Sequence, residues 1–169
     1  QNHCRLRRTA PMRVLLIVPG DLANQLQTLP AAAAVAESPH AQLQVVCQPA
    51  AAPASTPLPA AERVIPFPFE GATLADWGNL LGSVREPDFQ VCLNLAEGRQ
   101  LDLTLSMSHI PTRISAAGFS ATERIPLPGP GSGWPAQRLE GWLRRIGVSL
   151  EADQFRLSLP RDCLDRALA

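Results

Sequence analysis

Residues 14–18, VLLIV, follow Arg13 as an unbroken apolar run with no polar alternation. A strand wetted on one face alternates apolar and polar side chains. A run without alternation belongs to a strand covered on both faces, as in a parallel sheet. The run ends in a turn, PGDLAN, and a segment of helical length follows from Leu22 to Glu37, with Pro30 expected to kink it. The same order then recurs. Further strands are expected at Leu43–Gln48, Arg63–Phe67, Phe89–Leu95 and Thr112–Ala117, and a short sixth in ERIPLP. Between them, Thr73–Glu86 carries Leu74, Trp77, Leu80, Leu81 and Val84 at helical spacing. QLDLTLSMSHI reads as the helix after the fourth strand, and Trp134–Val148 as a last helix with Leu139, Trp142, Leu143 and Ile146 on its stripe. Strands alternating with helices predict an α/β, Rossmann-like doubly wound parallel sheet, with Arg13–Val18 central.

The chain has 169 residues, enough for one domain with a real core and hardly for two. Its 15 basic and 15 acidic residues cancel, so no general field draws in nucleic acid. All the basic residues are arginine, and the sequence is rich in alanine and proline, which reflects codon usage and is no sign of phosphate recognition. Cys47 and Cys92 sit inside apolar strand runs, where cysteine acts as a small hydrophobe. No C-x-x-C pair or ligand-spaced histidine points to a metal, and no cofactor is expected. With no apolar run of spanning length and no signal-type segment, a cytoplasmic protein is expected.

Three regions are expected. Residues 1–11, QNHCRLRRTAP, lack apolar periodicity and precede Met12, which reads as the natural start; they are expected to be a loosely packed upstream tail. Residues 12–158 form the domain. Residues 159–169 continue from the extended FRLSLP into RDCLDRALA, a helix without a terminal cap, read as the start of a second domain cut short.

In a parallel sheet, ligands sit beyond the carboxyl ends of the strands. The turns to examine are therefore PGDLAN, AEGRQ and AGFSATE. None is a G-x-G-x-x-G dinucleotide fingerprint, so nicotinamide binding is not expected. His40 and His109 follow no pattern that assembles a nucleophile triad.

The order of MRVLLIVPGDLANQLQTLP, AERVIPFPF, LADWGNLLGSVRE, DFQVCLNL and IPTRISAAG resembles the N-terminal half of family 9 glycosyltransferases. These are heptosyltransferase-like enzymes of lipopolysaccharide synthesis, and the cyanobacterial branch is the most similar. The resemblance runs from Met12 to about Pro160 and rests on the order of several segments. It implies the N-terminal domain of a GT-B architecture. Such a domain takes a lipopolysaccharide-type sugar acceptor, while a second domain binds the nucleotide-sugar donor, typically ADP-heptose, without metal. A place peripheral to the inner membrane is the corollary. The chain alone, lacking the donor site, is expected to be inactive. The rival reading is a non-catalytic α/β binding or interaction module.

The family places a Gly-Asp pair after the first strand, the aspartate acting as general base on the acceptor hydroxyl. An ungapped match through VPGDLANQLQTLP puts that pair on Ala23-Asn24, while Gly20-Asp21 lies three residues earlier. An amide cannot serve as a base. Either Asp21 supplies the carboxylate from a shifted position or the base has been lost, and the ungapped match favours loss. Asn24 then hydrogen-bonds an acceptor hydroxyl or caps the helix, and Asp21 reads as a turn and N-cap residue. By the same resemblance Gly20, Glu97, Arg99 and Arg113 are acceptor-binding candidates, with a solvated turn as the alternative for Glu97 and Arg99. For Arg113 the alternative is a pairing with a carboxylate.

Overall fold

The computed structural model describes residues 10–55, 61–129, 131–155 and 165. Six parallel strands form one sheet: β1 (Met12–Val18), β2 (Ala41–Cys47), β3 (Ala61–Pro66), β4 (Val91–Asn94), β5 (Thr112–Ser115) and β6 (Glu123–Arg124). Their order across the sheet is β3-β2-β1-β4-β5-β6, so the VLLIV strand is central as its composition requires. Successive β1 side chains point to opposite faces. Val14, Leu16 and Val18 meet one cluster with Ala31, Val35, Trp142 and Leu143, whereas Leu15 and Ile17 meet another with Leu80, Val84, Leu101 and Leu105. Each of these buried aliphatic side chains contributes about 1.5–3 kcal/mol relative to exposure.

The first cluster lies under α1 (Leu22–Glu37) and α4 (Glu140–Arg145), the second under α2 (Leu74–Arg85) and α3 (Arg99–Ser106). The start of α2 follows directly from sequence. Thr73 and Asp76 form a reciprocal capping box: Thr73 N donates to the Asp76 carboxylate at 2.7 Å, and Asp76 N donates to Thr73 Oγ1 at 3.2 Å. Trp77 is a core anchor, its ring 4.8 Å from Phe67.

α1 runs as one helix through Pro30. The expected helix over Trp134–Val148, by contrast, is broken. Pro135–Gln137 is a 3-10 turn, α4 covers only Glu140–Arg145, and Gly147 at φ +76 ends it with Val148 N donating back to Leu143 O at 2.9 Å. The tighter turn packs against α1, and Leu139, Trp142, Leu143 and Val148 still reach the sheet. Apolar spacing was retained while helix continuity was not. The sixth strand shrinks to two residues and the proline-rich segment after β2 becomes a 3-10 helix, Pro49–Ser55. Of the expected tail only Ala10 and Pro11 are described, both exposed, and of residues 159–169 only Asp165, which is helical. Residues 156–158, at the end of the expected domain, also lie outside the described residues. Among the described residues no helix is long and apolar enough to cross a membrane.

Candidate functional site at the sheet switch point

From β1 the chain builds outward through β2 to β3, then returns to lay β4 against the other flank of β1. The carboxyl ends of β1 and β4 therefore form the topological switch point, where connections diverge to opposite faces and leave a crevice. The β1 turn leads to α1 on one face and the β4 turn leads to α3 on the other. Gly20, Asp21 and Asn24 belong to the first turn, Glu97 and Arg99 to the second. The fold thus brings five of the six candidate residues to adjacent strand ends.

In the first turn, Asp21 is exposed and caps α1, its carboxylate accepting the Asn24 N–H at 3.2 Å. Its backbone carbonyl also accepts from Gln25 N at 3.2 Å. Asn24 is half-buried, and its side chain folds back over Gly20. The residue at position 20 has φ +91, a backbone conformation that calls for glycine, and a Cβ there would stand 2.1 Å from Asn24 Nδ2, so the amide would have to shift. Below the turn, buried Gln25 donates from Nε2 to the Val18 carbonyl at 2.9 Å and ties the helix to the strand end.

The second turn begins with Asn94, a buried amide whose Oδ1 accepts from Ala96 N at 3.0 Å. Gly98 caps α3 at φ +142 without a side-chain bond, and Arg99 is the first helical residue. Glu97 and Arg99 are both exposed. In register, Ile17, Asn94 and Ser115 stand side by side across β1, β4 and β5 at this edge. Asn94 and buried Ser115 were not singled out from sequence. A signal exists for Asn94, a polar residue ending the otherwise apolar run VCLN; the strand TRIS gives none for Ser115.

Arg113 lies in the amino half of β5. Its Nε donates to the Ser120 carbonyl at 2.6 Å and its Nη1 to the Ile110 carbonyl at 2.5 Å. Ser120 in turn donates its hydroxyl to buried Asp102 of α3. Arg113 and Asp102 therefore hold the loop after β5 from two sides. Cys92, beside Arg113 in register, is wholly buried; burial pushes its thiol up to about 12, with the arginine charge pulling the other way. Such a thiol is a core filler and no nucleophile at neutral pH.

No protein-family model matches the chain, and no curated protein sequence does either. Solved structures do match its fold. A glycosyl transferase family 9 structure from Veillonella parvula superposes with a TM-score of 0.78 over 95% of this chain and 49% of that one, at 13% identity. The E. coli heptosyltransferase WaaC with ADP gives 0.63 over 83% of this chain and 49% of that one, at 16% identity. The same enzyme with ADP-2-deoxy-2-fluoro heptose gives 0.61 over 89% and 56%, at 17% identity. The chain thus spans about half the length of the structures it matches.

Proposed function

We propose that the chain, with the fold of one half of a family 9 glycosyltransferase, is the acceptor-binding half of such an enzyme. The acceptor lies in the crevice between the β1 and β4 turns, and the observation that carries this reading is the convergence of Gly20, Asn24, Glu97 and Arg99 on the switch point. The bare Gly20 backbone permits close approach, and the Asn24 amide both donates and accepts toward a sugar hydroxyl. Arg99, at the open start of α3, suits an acceptor phosphate. Arg113 positions the neighbouring loop and is the one candidate whose described hydrogen bonds all go to backbone carbonyls and to Thr122.

The donor, a nucleotide-activated heptose-type sugar, is met by a second domain, and the reaction takes place at the cytoplasmic face of the inner membrane with a lipopolysaccharide core acceptor. Loss of the general base is supported by two features: Asp21 is engaged as the α1 cap, and the residue over the turn is an amide. The chain by itself is then a sugar-binding module without transfer.

The test joins this chain to the donor-binding half of a family 9 enzyme and follows transfer from ADP-heptose by mass spectrometry. Asn24→Asp raises turnover by about 10²–10⁴-fold, the usual contribution of a positioned base. Asp21→Asn leaves turnover unchanged. Turnover abolished by Asp21→Asn would instead make Asp21 the base, and failure of the chain to bind any core oligosaccharide would sink the acceptor reading.

A further inference from the structure

A cavity of about 680 Å³ opens between the segment after β6 and α4. On one side stand Leu127, Gly129, Gly131, Ser132, Gly133 and Trp134; on the other stand Arg138 and the exposed side of α4, and Gln27 of α1 closes one end. Its size is that of a small-molecule site.

Arg138 is the unusual member. It is half-buried, its Nε is fully enclosed, and it has no hydrogen-bond acceptor among the described residues. The other charges on the wall cancel, since Arg144 and Glu140 pair at 3.4 Å. Arg138 is left as an uncompensated cation facing a cavity. Its guanidinium, enclosed at Nε and without an acceptor among the described residues, presents a positive charge to the cavity, so the site is complementary to an anion. A planar fork of donors matches a phosphate or carboxylate.

Two further features describe the rest of the ligand. Trp134 is 74% exposed on the cavity wall, an apolar ring open to a ligand. The loop on the opposite wall carries Gly131 at φ +86 and Gly133 at φ +127, two positions that put no side chain into the cavity. Ser132 Oγ donates to the Gly129 carbonyl at 2.6 Å and holds the loop closed on itself.

We propose that this cavity binds a phosphate ester on a ring-sized body, the phosphate on Arg138 and the ring against Trp134. The proposal goes beyond the glycosyltransferase reading and does not depend on it, because none of its residues belongs to the β1–β4 crevice. The ring is a sugar or a nucleoside, and the two are separated by the choice of probe.

The experiment titrates the full chain with glucose 1-phosphate, AMP, inorganic phosphate and glucose, reading calorimetry and tryptophan fluorescence. One of the two phosphate esters binds, glucose does not, and inorganic phosphate binds more weakly than that ester. Arg138→Met, which keeps most of the apolar stem, weakens ester binding by roughly 10- to 100-fold, as expected on losing a charge-assisted bond. Trp134→Ala, at an exposed position that leaves the core intact, weakens the ester but not inorganic phosphate. Equal binding of inorganic phosphate and both esters would overturn the ring subsite. Ester binding unchanged in both variants, or no binding by the folded wild-type chain, would overturn the proposal.

Discussion

After β1, Gly20 has φ +91 and lies so close beneath the Asn24 amide that a Cβ there would stand 2.1 Å from Nδ2. After β5, Gly118 has φ +100 and lies beneath the Asp102 carboxylate, where a Cβ would stand 2.6 Å from Oδ1. The backbone device is the same, a positive-φ glycine with a polar side chain folded over it. The difference is in what holds that side chain. Asp102 is buried and accepts from Ser120, whose carbonyl is itself bound by Arg113. Asn24 is half-buried and no described hydrogen bond holds its side-chain amide. One turn is locked for structure; the other leaves a donor and an acceptor available at the switch point. The comparison teaches that a polar side chain over a glycine is no evidence of function until its partners are known.

Replacing each glycine by alanine gives the sharpest contrast. Both variants place a side chain at positive φ, which costs about 1–3 kcal/mol. Gly118→Ala also displaces a carboxylate that cannot move without breaking its bond to Ser120, adding about 1.5–3 kcal/mol. Gly20→Ala meets first the end of the Asn24 side chain, which no described hydrogen bond holds in place. Urea unfolding should therefore rank Gly118→Ala well below Gly20→Ala, and equal losses would show that Asn24 is as firmly held as Asp102.

Truncating the two covering side chains gives a smaller effect. Asp102→Ala removes a charged acceptor from a buried hydroxyl and should cost about 1.5–3 kcal/mol. Asn24→Ala should stay within about 0.5 kcal/mol, as for a side chain without structural partners. Chemical denaturation of both variants checks this, and a large loss in Asn24→Ala would assign that residue a structural role.

The smallest effect at neutral pH concerns Cys92, in the core beside Arg113. Its folded thiol holds its proton to about 12, whereas the unfolded thiol releases it near 9.0. The folded state then binds more protons, so this contribution is fully present below about 9 and is lost as pH rises toward about 12. The slope is at most about 1.4 kcal/mol per pH unit. Stability measured at pH 8 and pH 10 should fall less in Cys92→Ala than in the wild-type chain. An unchanged difference would mean that water reaches the thiol in the core.

Much of the fold was legible in the sequence because it depends on local periodicity. The unbroken VLLIV run demanded cover on both faces, and the spacing of Trp77, Leu80 and Val84 defined α2 within a residue or two, while Leu74, expected on the same stripe, is 89% exposed at the first helical position. The Asp21 cap was legible too, since an aspartate before an apolar helix has a local use that needs no distant partner. The break in Trp134–Val148 was not. Its apolar stripe fits a continuous helix, and only the need to seat Leu139 and Trp142 against a strand and α1 at once replaces the first turn with a 3-10 turn.

For the candidate site, sequence order alone made Gly20, Asp21, Asn24, Glu97 and Arg99 turn residues after strands. That the two turns stand at adjacent strand ends follows from β4 pairing with β1 instead of β3, a long-range choice that no local pattern encodes. The same holds for Arg113, Asp102 and Arg138. An arginine in a strand, an aspartate in a helix and an arginine after a glycine loop look alike as solvated charges. Tertiary structure gave the first two buried polar partners and left the Nε of the third enclosed without one among the described residues, because hydrogen-bond satisfaction is decided between elements distant in the chain.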